Sequence, residues 1–377
     1  MKASGFFPSL TLVFLVILFG CSGDPGEVGK GLLTAQDTLH LETRVFTATS
    51  SMDFLTRVNG NSGRAMVGTY QDIQAQTLME FTGMAALHPG VKIDSAVLTL
   101  AIVYRLRDST GEFGLAAHNM VRAWGTKTFT WDSVAGSFDP AVAGSFVTTI
   151  AASDTAISFK IDTALIRAWS AAGSGSLMLV PSLTAQLILG FSSSLSPDTR
   201  PLLTVSYRDT ADTTIRFAPR AARTIFVANS TFPAVPQTMF VQAGVDYPAL
   251  IRFDSLALPA KASVIEAYLE LPVNQGASFI NGYSRDSLIA YLTRKTVFPY
   301  DSLILGALCN PEVVGAQKSY RANVKNIVQQ WLTREHNNGL AVHAYSEFTT
   351  LDRFALYGAD APANLRPTLT VSYTLFP

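Results

Sequence analysis

Arg200-Pro201-Leu202-Leu203-Thr204-Val205-Ser206-Tyr207 returns 166 residues later as Arg366-Pro367-Thr368-Leu369-Thr370-Val371-Ser372-Tyr373, with seven of eight residues matching. A spacing of that size is about one domain of chain. The alternation within the phrase puts Leu203 and Val205, and likewise Leu369 and Val371, on one face of a strand. The chain therefore reads as a duplicated β domain whose two copies close on the same strand.

Other signals repeat in the same order. Leu78-Met79-Glu80-Phe81 is answered by Leu250-Ile251-Arg252-Phe253. Ile93 to Leu100 sets Ala96, Leu98 and Leu100 on one face; Val264 to Leu271 does the same with Ala267, Leu269 and Leu271. Glu266 and Glu270 fall on the opposite face, the pattern of a strand with one side in water. A short helix ending in Trp is predicted twice. Ile161, Leu165 and Trp169 recur at i, i+4 and i+8, and Val324, Ile327 or Val328, and Trp331 do likewise. Asp162 and Asn323 are the expected N-caps. Short strands with one helix per copy predict an all-β protein: two tandem jelly-roll-like sandwiches, with an immunoglobulin-like sandwich as the alternative.

The expected divisions are a signal peptide over 1–20, a flexible tether over 21–44, the first sandwich over 45–209, a linker over 210–221 and the second sandwich over 222–377. Lys2 precedes an apolar stretch from Leu10 to Phe19, too short for a membrane span of about 20 residues. Leu18-Phe19-Gly20-Cys21 resembles a bacterial lipobox, which implies lipidation of Cys21. Ser22 after the Cys, rather than Asp, points to the outer membrane or cell surface. The other cysteine, Cys309, is then left alone, so the fold rests on burial rather than on disulfides.

Charge excludes some partners. Lys+Arg and Asp+Glu both number 28, so the net charge is zero and no field draws in nucleic acid or anionic lipid. The five histidines lack ligand spacing, and there is no Asp-x-Asp-x-Asp-Gly loop. No cofactor is expected; a structural calcium would need scattered carbonyls and carboxylates. No Gly-x-Ser-x-Gly elbow, P-loop or dinucleotide fingerprint occurs, so the reading is not an enzyme. A polysaccharide hydrolase or lyase with distant paired carboxylates stays as the third alternative.

The ordered phrases resemble the DNRLRE-type domain of bacterial surface proteins. The first copy supplies Phe81, Ile93 to Leu100, Trp124 with Thr130-Trp131, Phe159 to Trp169, and Pro201 to Tyr207. The second supplies Phe253, Ala267 to Leu271, Tyr320 to Trp331, and Pro367 to Tyr373. The resemblance covers most of Val45 to Pro377 and implies carbohydrate-binding-module-like sandwiches. Trp124 and Trp131 are the ligand candidates, because sugar C–H faces stack on indole rings. Arg122, Lys127 and Asp132 are expected at the rim as hydrogen-bonding groups. The second copy carries Phe298-Pro299-Tyr300 at the corresponding place, so the ligand role falls to the first. The leading expectation is a lipid-anchored, non-catalytic polysaccharide binder. An adaptor binding another envelope protein is the second.

Overall fold

The computed structural model describes residues 41–54, 64–71, 73–88, 90–106, 110–124, 129–182, 186–192, 198–209, 211–228, 235–259, 261–282, 285–295 and 305–375. The chain is all-β, two curled antiparallel sandwiches with one short helix in each. The strands run β1 (Leu41–Thr47), β2 (Ser50–Asp53), β3 (Arg64–Tyr70), β4 (Ile73–Thr82), β5 (Lys92–Arg105), β6 (Gly111–Met120), β7 (Phe138–Ile150) and β8 (Ala156–Lys160). Helix α1 (Thr163–Ala172) follows, then β9 (Ser174–Pro181), β10 (Leu187–Ser192), β11 (Leu202–Arg208), β12 (Asp212–Phe217) and β13 (Ala221–Ala228). The remainder is β14 (Thr238–Gln242), β15 (Ala249–Arg252), β16 (Ala262–Pro272), β17 (Leu288–Leu292), β18 (Gly306–Val314), β19 (Gln317–Asn323), α2 (Lys325–Thr333), β20 (Leu340–Ala344), β21 (Arg353–Tyr357) and β22 (Thr368–Leu375).

The repeated phrase forms β11 and β22, and each occupies the same place. Leu203 pairs with Leu98 and Val205 with Ala96; Leu369 pairs with Leu269 and Val371 with Ala267. A register shift recurs too: β5 skips Asp94 opposite β11, and β16 skips Ile265 opposite β22. The inward rows fill two cores. Leu98, Leu100, Leu203 and Val205 join Phe81 and Trp169 in one; Leu269, Leu271, Leu369 and Val371 join Phe253 and Trp331 in the other.

Both helices dock by their indoles. Trp169 stacks on Phe81 at 6.0 Å between ring centres, and its Nε1 donates to Asn119 Oδ1 at 3.0 Å. Gly175 lies so near this ring that a Cβ there would stand 1.9 Å from an indole carbon. The Asp162 carboxylate caps α1 by accepting from Ala164 N at 2.9 Å, and Gly173, at φ 76°, ends the helix. In α2 the N-cap is Val324, one residue later than expected. Asn323 still accepts from Lys325 N at 3.0 Å, from just outside the helix.

The strand pairing departs from the expected boundaries at both ends of the first copy. β1 and β2 cross to the second sandwich, where β1 lies along β22 and β2 along β15. Residues 41–44, expected in a tether, are therefore strand, and 45–53, expected in the first sandwich, complete the second. Residues 212–217, expected in a linker, form β12 on β11, and β13 continues onto β4. The first sandwich thus runs from Arg64 to Ala228 without interruption.

The two sandwiches share a third apolar cluster. Met66, Ile73, Tyr104, Leu106 and Ile188 from the first meet Phe240, Val245, Leu351 and Ala355 from the second. Tyr104 is buried here, and its hydroxyl oxygen accepts from Asn281 Nδ2 at 2.8 Å and from Leu351 N at 3.3 Å. Arg64 donates across to Thr349 O at 2.6 Å.

Candidate functional site

Leu78 on β4, Met178 on β9 and Met120 at the end of β6 form a small apolar floor, together with Phe129 and Val134. Their strand neighbours Met79, Leu177 and Leu179 face the main core, so period-two alternation puts this floor on the outer side of the sheet. Trp124 and Trp131 pack on it, as do Phe138 and Val180. Both indoles are half-buried. Trp131 opens a single 3-10 turn, Trp131–Ser133, framed by a reciprocal Thr130–Ser133 capping box. That turn lies against β13.

The structure therefore brings Trp124 and Trp131 together on one patch. Arg122 and Asp132 are exposed beside them, while Lys127 lies outside the described residues. Trp124 Nε1 is buried and meets no acceptor among the described residues. An unpaired buried donor costs about 1–3 kcal/mol unless something satisfies it. Phe298-Pro299-Tyr300 and Cys21 also lie outside the described residues. Cys309 is buried, and burial pushes its thiol up to about 12, so it is an inert core side chain.

Two further clusters escaped the reading of the sequence. The first is an open groove of about 260 Å³ on the outer face of β16, β18 and β19. Tyr268 lines it, with the Arg321 guanidinium 4.1 Å above the ring centre and Glu312 3.5 Å from Arg321. Tyr268 stands between Glu266 and Glu270 on the outward row of its strand, which was the one available signal. Its partner Arg321 comes from another strand, which only sheet register supplies.

The second cluster joins two turns. Glu347 Oε1 accepts from Asp246 N at 3.0 Å, and Asp246 itself has φ 50°. Burial first, then the Asp246 charge, pushes the Glu347 carboxyl well above the usual carboxylate range. His343 Nδ1 is 4.0 Å from Asp246 Oδ1, yet burial lowers its imidazole to about 4, so the ring is neutral at physiological pH. Nothing in the sequence pairs these residues, which are about 100 positions apart. Among the described residues no group of three or more His, Cys, Asp or Glu is placed to hold a metal ion. No helix among them is long and apolar enough to cross a membrane.

No protein-family model matches the chain, and no curated protein matches it.

Proposed function

We propose that this chain is a lipid-anchored, non-catalytic envelope protein whose first sandwich binds a neutral or weakly charged polysaccharide. The supporting observation is the Trp124–Trp131 patch. Two half-exposed indoles share one outer face, held on a built apolar floor, with Arg122 and Asp132 at the edge. Indoles placed so can stack on sugar rings while the exposed polar groups meet hydroxyls. Stacking adds roughly 1 kcal/mol beyond area burial, so a single site of this kind binds weakly, near the millimolar end. The resemblance to DNRLRE-type domains favours the same ligand class.

Affinity electrophoresis and a glycan array on the soluble protein test the reading. Trp124→Ala and Trp131→Ala should each weaken binding about fivefold or more, while near-UV circular dichroism stays that of a folded protein. Binding by the parent that survives both substitutions would place the site elsewhere. Absence of any glycan binding by the parent would leave the adaptor reading ahead. That second reading draws on Tyr345 and Phe348, two exposed aromatic side chains on one turn of the second sandwich. The anchor has its own check: Cys21→Ser should release the protein from membranes, since the charge-neutral chain offers no electrostatic attachment.

A further inference from the structure

The crossed strands follow a rule. Phe46 of β1 pairs with Leu369, and Phe217 of β12 pairs with Leu203, its counterpart in the repeated phrase. Met52 of β2 pairs with Leu250, and Arg223 of β13 pairs with Leu78, again counterparts. Phe46 and Phe217 are 171 residues apart, and so are Met52 and Arg223. Even a side-chain contact recurs: Thr43 Oγ1 meets Ser372 Oγ at 2.8 Å, and Thr214 Oγ1 meets Ser206 Oγ at 3.3 Å. β1–β2 and β12–β13 are therefore one repeated arm. Each arm precedes its own copy in the sequence and completes the other copy in space.

The two arms are held differently. β12 follows β11 through a tight turn, with Arg208 paired to Asp212, so its place is secured locally. β1 reaches β22 from the far end of the chain, and the whole first sandwich lies between them in sequence. Ten residues, 54–63, tie β2 to β3, so the arm of the same molecule meets this edge at an effective concentration of about millimolar order, and a second copy competes as its own concentration approaches that. The arm of a second copy offers the same backbone hydrogen bonds and the same Phe46. In β1 only Phe46 is buried, while Leu41 and Val45 are 61% and 64% exposed. Around Phe46 the side-chain contacts of the strand are polar: Thr43 meets Ser372, Glu42 accepts from the Tyr373 hydroxyl, and Arg44 donates to Ala257 O.

We propose that β1–β2 is a donor arm exchanged between copies of this chain, the arm of one copy completing the second sandwich of the next. The acceptor is the edge formed by β22 and β15. The corresponding edge of the first sandwich is closed by its own hairpin and does not accept. Reciprocal exchange between two copies closes as a dimer, whereas donation passed on from copy to copy extends.

Cysteine pairing in the full chain with Cys21→Ser tests this. Chains carrying Thr43→Cys and chains carrying Ser372→Cys are mixed, incubated near physiological temperature and oxidised. A disulfide-linked dimer should form, with a yield that rises with concentration. Thr43→Cys mixed with Ser206→Cys, the matching position of the first sandwich, should give at least tenfold less. Both substitutions in one chain should close internally and abolish the exchange. No mixed disulfide with Ser372→Cys overturns the proposal. So does an equal yield with Ser206→Cys, which would report collision rather than donation. Failure of the double variant to close internally overturns the register on which the proposal stands. Thr43 and Ser206 lie on the outer face of the sheet, so these substitutions leave both cores intact.

Discussion

The first sandwich is one uninterrupted run of chain, Arg64 to Ala228, and the second is assembled from both ends of the described chain. Their inner rows and closing strands pair in the same register and each docks one Trp-ended helix, and the contrast lies in how the edge strand is connected. In the first, the edge strand β12 is half-buried along alternate positions and follows its partner directly. In the second, β1 buries Phe46 alone and depends on contacts made across the whole sequence. Equivalent strands can thus differ in how they are held, because the entropy of closure belongs to the connection rather than to the strand.

The largest test of this contrast is the pair of arm phenylalanines. Phe46→Ala should destabilise the second sandwich by about 3 kcal/mol, through loss of a buried ring. Phe217→Ala, removing a half-buried ring, should cost about half of that. Urea unfolding followed by hydrogen exchange separates the two sandwiches, and equal effects would erase the proposed difference between the arms.

The buried groups His343, Glu347 and Asp53, whose titration burial shifts, all pack in the second sandwich. Burial lowers His343 from 6.5 to about 4. Its stabilising contribution is therefore complete above pH 6.5 and is lost as pH falls toward 4, because the unfolded chain binds the proton more readily. At pH 5 the loss is on the order of 2 kcal/mol. Asp53 and Glu347 act in the opposite sense: burial raises both carboxyls, so acidification favours their protonated forms in the fold. The histidine contribution is isolated by comparing the parent with His343→Gln. The variant should lose less stability between pH 7 and 5, as read from thermal midpoints, and parallel curves would refute the assignment.

The smallest effect concerns the two helix indoles. Trp169→Phe should cost about 1 kcal/mol, since it leaves Asn119 without its donor. Trp331→Phe should be close to neutral, because the Trp331 Nε1 is buried without an acceptor among the described residues. Denaturant midpoints of the two variants measure the gap, and an equal cost would show that the indole hydrogen bond contributes nothing.

The candidate site was half legible. Trp124 and Trp131 stand close together in the chain, so their shared patch follows from proximity and from the short turn that Thr130 and Ser133 cap. The floor beneath them was not legible, because Leu78, Met120 and Met178 come from three strands whose order no local signal encodes. The Tyr268–Arg321 groove and the Asp246–Glu347 contact were missed for the same reason.

By itself the sequence determined the all-β class, the duplication, the inward rows and the two Trp-ended helices. All of these follow from alternation, helical period and capping within a few residues, and both copies carry the same local signals. Only the tertiary structure decided which copy each arm completes. Thr43 to Phe46 and Thr214 to Phe217 are local patterns that fit either closing strand, since β11 and β22 are nearly identical. The tight turn from Arg208 to Asp212 fills the first edge, and β1 satisfies its backbone N–H and C=O groups on the remaining closing strand, β22.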